Sequence, residues 1–146
     1  MIDTSDASRD WLAVWMGTSN LDQDAFYAYT SGIDACDPNT PICLDLGTTF
    51  IDVDCWGSWR TADLKPVPIE QLVEEVASNS KATDARIVQA AQAMGLREGN
   101  SLYYLMRCQF QPDEPSRTYN GLHFIGNFLD PYKPYKAPRK RASKAG

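Results

Sequence analysis

Basic residues are absent from a long stretch of this chain. Between Arg9 and Arg60 there are fifty consecutive residues without a lysine or an arginine. These two residue types make up about a tenth of an ordinary protein, so about five would be expected there. The same stretch holds eight aspartates, namely Asp10, Asp22, Asp24, Asp34, Asp37, Asp45, Asp52 and Asp54. A field of one sign on this scale predicts a binding partner of the opposite charge.

Long apolar runs are missing as well. The longest, near residues 11–16 and 102–106, are far shorter than the roughly 20 residues that cross a bilayer. The polar, acidic start of the chain is unlike a signal peptide. We therefore expect a cytoplasmic protein that does not bind membranes.

Histidine and cysteine are scarce. His123 is the only histidine, and the spacing of Cys36, Cys43, Cys55 and Cys108 fits no zinc site. No glycine-rich phosphate loop is present, so no cofactor is expected. We expect reduced cysteines that act as small apolar residues, with a Cys36–Cys43 disulfide as the alternative in an oxidising compartment.

The charge of the chain is divided between a body and a tail. Residues 1–130 carry all 19 acids and 8 of the 14 bases, a formal charge of −11. After Asp130 there are six bases and no acid, at Lys133, Lys136, Arg139, Lys140, Arg141 and Lys144. Prolines alternate with these bases, which is typical of flexible segments. We predict one domain over residues 1–130 and a flexible, disordered basic tail over residues 131–146.

Apolar periodicity and turn residues predict the order strand, helix, strand, helix, helix, strand, strand. The predicted strands are 11–16, 48–54, 101–110 and 122–129; the helices run from Ser19 to about Thr30, from Pro68 to about Val76, and from Thr83 to Gly95. Strand 11–16 is apolar at every position and is expected to be covered on both faces. The last two strands are expected to pair antiparallel. The fold class is α+β, with a small mixed or antiparallel sheet of about four to five strands and two to three helices on one face.

The acidic part of the chain contains the candidate site. An extended segment 48–54 would place Asp52 and Asp54 on one face, although aspartate disfavours strands, and a loop at Trp56–Arg60 would follow. Carboxylates around tryptophan suit a basic protein partner. The predicted binding residues are Asp34, Asp37, Asp45, Asp52, Asp54, Trp56 and Trp59. The alternative is that the aspartates are solvated loop and cap residues and that both tryptophans pack in the core.

Two other functions remain open. A small metal-dependent hydrolase could use the carboxylates of Asp45, Asp52 and Asp54, although these runs do not follow the calcium-loop pattern. A nucleic-acid or adaptor module could act through the basic tail, although a body of −11 would repel nucleic acid. A nucleic-acid partner is therefore not favoured, and the oligomeric state is not predicted.

Three segments together resemble the Immunity protein 22 family of bacterial polymorphic-toxin systems. They are the strand end and helix start at 14–29, the run Leu-Asp-Leu-Gly-Thr-Thr-Phe-Ile-Asp-Val-Asp at 44–54, and the closing strands at 100–105 and 121–128. In order, they span residues 11–129. The resemblance implies a non-enzymatic α+β antitoxin that binds and neutralises a cognate toxin domain. A nuclease, with its basic cleft, is one candidate for that toxin. The basic tail lies outside the resemblance.

Overall fold

The computed structural model describes residues 1–132 of the chain. The predicted tail falls almost entirely on residues 133–146 and so lies outside the described residues. The strands are β1 (Ile2–Asp3), β2 (Trp11–Gly17), β3 (Trp56–Arg60), β4 (Val67–Pro68), β5 (Glu98–Gly99), β6 (Ser101–Met106), β7 (Gln109–Phe110), β8 (Thr118–Tyr119) and β9 (Leu122–Leu129). The α-helices are α1 (Gln23–Ala28), α2 (Pro41–Leu46), α3 (Ile69–Leu72) and α4 (Lys81–Ala93), with 3-10 turns at Asp6–Ser8, Ile33–Ala35 and Val73–Glu75.

A five-stranded antiparallel sheet organises the chain, which confirms the α+β class. Its strand order is β3-β6-β2-β9-β8, and two further two-stranded sheets pair β1 with β7 and β4 with β5. The predicted pairing of the last two long strands is wrong. Strand β2 lies between β6 and β9 and is antiparallel to both, so these two strands run parallel to each other without touching as neighbours.

Each face of the central strand β2 belongs to a different apolar core. Ala13 and Trp15 face a core shared with α1 and α2, whereas the side chains of alternate residues such as Val14 face a core shared with α3 and α4. The expectation that β2 is covered on both faces is therefore confirmed. Helices accordingly lie on both faces of the sheet rather than on one. A strand with no polar face needs cover on each side.

The helix boundaries follow from local capping. The carboxylate of Asp22 accepts a hydrogen bond from Ala25 N and begins α1. Ser80 rather than the predicted Thr83 caps α4, because the Ser80 hydroxyl accepts from Thr83 N. Gly95, at φ +86°, follows the end of α4 as predicted.

Helix α2 was not predicted, although its local signals are strong. Thr40 accepts a hydrogen bond from Cys43 N, Pro41 occupies the first turn, and Gly47 ends the helix at φ +68°. At six residues, α2 is too short to show a clear helical period in the sequence, so its stability depends on packing.

The segment before β3 is the largest correction to the predicted elements. Residues 48–54 form no strand, and Trp56–Arg60, predicted as a loop, is strand β3. A turn at residues 53–55 separates the two: Asp52 Oδ1 accepts from Asp54 N at 2.9 Å, and Asp52 O accepts from Cys55 N at 2.9 Å. The two aspartates therefore favour a turn, in which their side chains are compatible with the backbone, instead of straining a strand.

A buried carboxylate joins the end of β9 to the start of α4. Both oxygens of Asp130 accept from Asn79 N, at 3.0 and 2.9 Å, and Oδ1 also accepts from Thr83 Oγ1 at 2.8 Å. The Asp130 carbonyl accepts from Asn79 Nδ2. This cluster fixes α4 against the sheet at one end.

Within residues 1–132, no helix is long and apolar enough to cross a membrane.

Candidate partner-binding surface

Residues 34–54, which we call the acidic segment, cover one side of the aromatic core between α1 and β3. The segment is held down by Ile42, Leu46 and Ile51, whose side chains are all buried in that core. Thr40 and Cys43 are buried as well, and most of the other residues of the segment are exposed. The aspartates of the predicted site all lie on the outer side of the segment, but they differ in what they contact.

Asp34 and Asp54 are free carboxylates. Both residues are exposed, and no hydrogen bond or ion pair to either side chain forms within residues 1–132. Asp37 and Asp52 are exposed too, but each accepts from the backbone N–H two residues later, at Asn39 and Asp54 respectively. These two carboxylates stabilise turns and remain exposed.

Asp45 has a different role from the other four aspartates. Its carboxylate accepts from the Tyr29 hydroxyl at 2.8 Å and from Arg117 Nη2 at 2.6 Å. Arg117 also pairs with Asp113 at 3.1 Å. Burial, and then the hydrogen bond to Asp45, raise the pKa of Tyr29 well above its usual range. Asp45 is thus held within the fold by Tyr29 and Arg117 and is not a free carboxylate.

The two tryptophans of the predicted site do not share a surface. Trp56 packs in the aromatic core, with its ring centroid 5.0 Å from that of Tyr103 and 6.3 Å from that of Trp15. Trp59 has the opposite parity in β3 and packs against the core beneath α3 and α4. Both are half-buried, so they anchor β3 to the two cores. The two indoles therefore lie on different faces of β3 and do not form a common surface patch.

The acidic segment exposes three large apolar side chains that the predicted site did not include. Leu44, Phe50 and Val53 are 66%, 54% and 46% exposed. Val53 lies between Asp52 and Asp54 in sequence. The sequence contained a signal for Phe50 and Val53, because a turn at the paired aspartates leaves these two residues without a strand face to bury. Leu44 lies on the unpredicted helix α2. Exposed apolar residues beside free carboxylates are a composition that is compatible with a partner-binding surface.

A groove of about 320 Å³ lies beside Phe50. Phe50, Ile51, Asp52 and Cys55 line one wall, and the end of β6 with Arg107 lines the other. The Cys55 thiol donates to Asp52 Oδ2 at 3.7 Å. Burial, followed by the charge of Asp52 and this hydrogen bond, raises the pKa of Cys55, so the thiol stays protonated and is a poor nucleophile.

The residues of the predicted hydrolase alternative do not converge. Asp45 is tied to Arg117, whereas Asp52 caps the turn before β3. Among the residues that the structure describes, no group of three or more His, Cys, Asp or Glu side chains is placed to hold a metal ion.

The four cysteines are all free, with Cys36 exposed and Cys43 buried, so the structure does not contain the alternative Cys36–Cys43 disulfide.

Comparison with known proteins identifies no relative. No protein-family model, no curated protein and no solved structure matches this chain. The resemblance to Immunity protein 22 stays a prediction, and the function has to be inferred from the acidic segment.

Proposed function

We propose that this chain is a non-enzymatic immunity protein that binds and neutralises a cognate toxin domain in the cytoplasm. The observation that carries the proposal is the exposure of Phe50 and Val53 beside free carboxylates on the acidic segment. Apolar side chains of this size supply most of the affinity of a protein interface when a partner covers them. The surrounding charge steers the partner and selects a basic surface.

The charge balance of the fold supports a basic partner. Of the five predicted aspartates, only Asp45 forms an ion pair within residues 1–132. The other four therefore project their charge into solvent, next to a body of −11. A toxin that acts on nucleic acid has a basic cleft for the phosphate backbone, and the acidic segment would occupy such a cleft in its place. A nuclease is for this reason the favoured class of toxin.

The proposed contact set differs from the set predicted from sequence. It consists of Leu44, Phe50 and Val53 as apolar anchors, with Asp34 and Asp54 as free charges. Asp37 and Asp52 support the turns that present these residues. Asp45, Trp56 and Trp59 hold the segment and β3 in place from within the fold.

Co-expression with the toxin domain encoded beside this gene tests the proposal. The wild-type chain should restore growth, and Phe50→Ala should lose much of this protection because the anchor is removed. Met94→Ala is the matched control, since Met94 is 49% exposed but lies after α4, outside the acidic segment. No protection by the wild type would refute the function. Equal protection by the two variants would refute the site.

A further inference from the structure

Among residues 1–132, strand β3 is an edge of the main sheet, with no strand paired to its outer side. In this part of the chain it pairs only with β6. The bonds Met106 N to Cys55 O and Thr61 N to Asn100 O, both 2.9 Å, show that odd-numbered residues of this strand face β6. In an antiparallel ladder, the backbone N–H and C=O groups of successive residues point alternately toward the paired strand and away from it. The N–H and C=O groups of Trp56, Ser58 and Arg60 therefore face outward, and none of them hydrogen-bonds to another residue within 1–132.

The usual protection of an edge strand is lacking here. Natural edges are very short, or carry proline, lysine or a bulge that prevents pairing with another chain. The opposite edge, β8, has only two residues. Strand β3 has five, contains no proline or lysine, and pairs with β6 in a continuous register. It is thus a ready template for one more strand.

We propose that β3 pairs antiparallel with β3 of a second copy of this chain, which joins two five-stranded sheets into one of ten strands. The outward-facing residues must lie opposite each other, so the symmetric register places Ser58 opposite Ser58 of the second copy. Trp56 then lies opposite Arg60 of the second copy, and Gly57 opposite Trp59. The three outward-facing pairs exchange about six backbone hydrogen bonds, two for each pair.

The side chains of β3 are complementary to themselves in this register. On one face, Arg60 lies opposite Trp56 of the second copy. Its guanidinium already stacks over Phe26 at 4.1 Å and donates to Ser101 Oγ and Ser19 O, so the apolar stem of Arg60 is the part that faces the indole. On the other face, Trp59 lies opposite Gly57, which has no side chain of its own. The Tyr104 ring covers Gly57, since a Cβ there would overlap that ring. The indole of the second copy would therefore meet an aromatic surface rather than another bulky cross-strand residue.

The local charges at the two ends of β3 match those of a second copy, and they act against the mutual repulsion of two bodies of −11 each. Asp52 and Asp54 precede β3 in the turn, whereas Arg60 ends the strand and Lys65 follows it. Antiparallel pairing sets the acidic end of one strand against the basic end of the other. A strand from a uniformly basic partner would match only one of the two ends.

The oligomeric state of the full 146-residue chain tests this inference without any toxin, so its outcome is independent of the function proposed above. Light scattering from low to high micromolar concentration should show the mass rise from 16.3 kDa to twice that value. Ser58→Pro removes the central outward N–H and should keep the mass at one copy. Ser58→Ala is the matched control: it retains the N–H, and Ser58 Oγ has no hydrogen-bond partner to lose.

Amide hydrogen exchange of the wild type decides the question even if Ser58→Pro fails to fold. The amides of Trp56, Ser58 and Arg60 should exchange more slowly at high concentration. The amides of Gly57 and Trp59, which are already bonded to β6, should exchange at the same rate at low and high concentration. A single-copy mass throughout would overturn the proposal. The proposal would also be overturned if the exchange rates of the outward-facing amides did not depend on concentration. The same holds if a folded Ser58→Pro variant still showed the doubled mass.

Discussion

Replacing Asp45 with alanine should lower the stability of the domain, although Asp45 belongs to the acidic segment. The change removes the acceptor of the Tyr29 hydroxyl and the partner of Arg117. Tyr29 is buried, so a lost partner for its hydroxyl costs about 1–2 kcal/mol. The ion pair adds only about 0.2–1 kcal/mol, because both side chains remain about 30% exposed. We expect a total loss of roughly 1–3 kcal/mol.

Equilibrium unfolding in urea, followed by tryptophan fluorescence, measures this loss. The transition midpoint should fall while the dependence on urea stays the same. Asp54→Ala is the control, since its exposed carboxylate has no partner within residues 1–132, and it should change stability by no more than about 0.5 kcal/mol.

A double-mutant cycle separates the two contacts of Asp45. Asp45→Ala and Tyr29→Phe should show a coupling of about 1 kcal/mol, because each removes the same hydrogen bond. If Asp45→Ala is as stable as the wild type, the reasoning fails. Asp45 would then contribute nothing to the fold and would be as available to a partner as Asp54.

Two further predictions concern the rest of the fold. Asp130→Ala should destabilise the domain by about 3–5 kcal/mol in the same urea assay, because the Asn79 N–H and the Thr83 hydroxyl lose a buried acceptor. Asp24→Ala, at an exposed position, is the control and should leave stability nearly unchanged. Alkaline pH should also destabilise the domain. Burial raises the pKa of the Cys108 thiol from 9.0 to about 12 and, as the largest influence, that of Tyr103 from 10.0 to about 12. In each case the folded state holds its proton longer than the unfolded state. The stabilisation is therefore complete below the unfolded pKa and is lost as pH rises to the folded pKa. Stability measured against pH should fall by about 1.4 kcal/mol per pH unit for each group, from pH 9 for Cys108 and from pH 10 for Tyr103. Burial also raises the pKa values of Cys55 and Tyr29, which add to the two parts of the fall, so Cys108→Ala should make the part that begins at pH 9 shallower without removing it. A flat profile between pH 9 and 12 would contradict this assignment.

The sequence predicted an element correctly where its local pattern matched the way in which that element packs in the core. Strand β2 is apolar at every position, which indicates two covered faces, and both cores are present. Helix α4 has a clear period and a glycine stop. Pairing partners were not visible in the same way, because they depend on contacts between residues 84 to 118 positions apart. The insertion of β2 between β6 and β9 is the clearest example.

The candidate site was predicted in part. The acidic segment and its free carboxylates follow from composition. What could not be read from composition is which aspartate is internally paired, since Arg117 lies 72 residues from Asp45. Treating residues 48–54 as a strand also hid Phe50 and Val53. Asp52 and Asp54 are better explained by their preference for turns, which leaves both apolar neighbours exposed.

The affinity of the purified chain for the toxin domain that we propose as its partner tests the central claim most directly. The double charge reversal Asp34→Lys with Asp54→Lys alters two free carboxylates of the acidic segment. Asp6→Lys with Asp24→Lys changes the net charge equally at exposed positions elsewhere. Calorimetric titration at two salt concentrations should show that only the first pair weakens binding at least tenfold, about 1.4 kcal/mol, and reduces its dependence on salt. Equal effects of the two pairs, or no effect of either, would contradict the account.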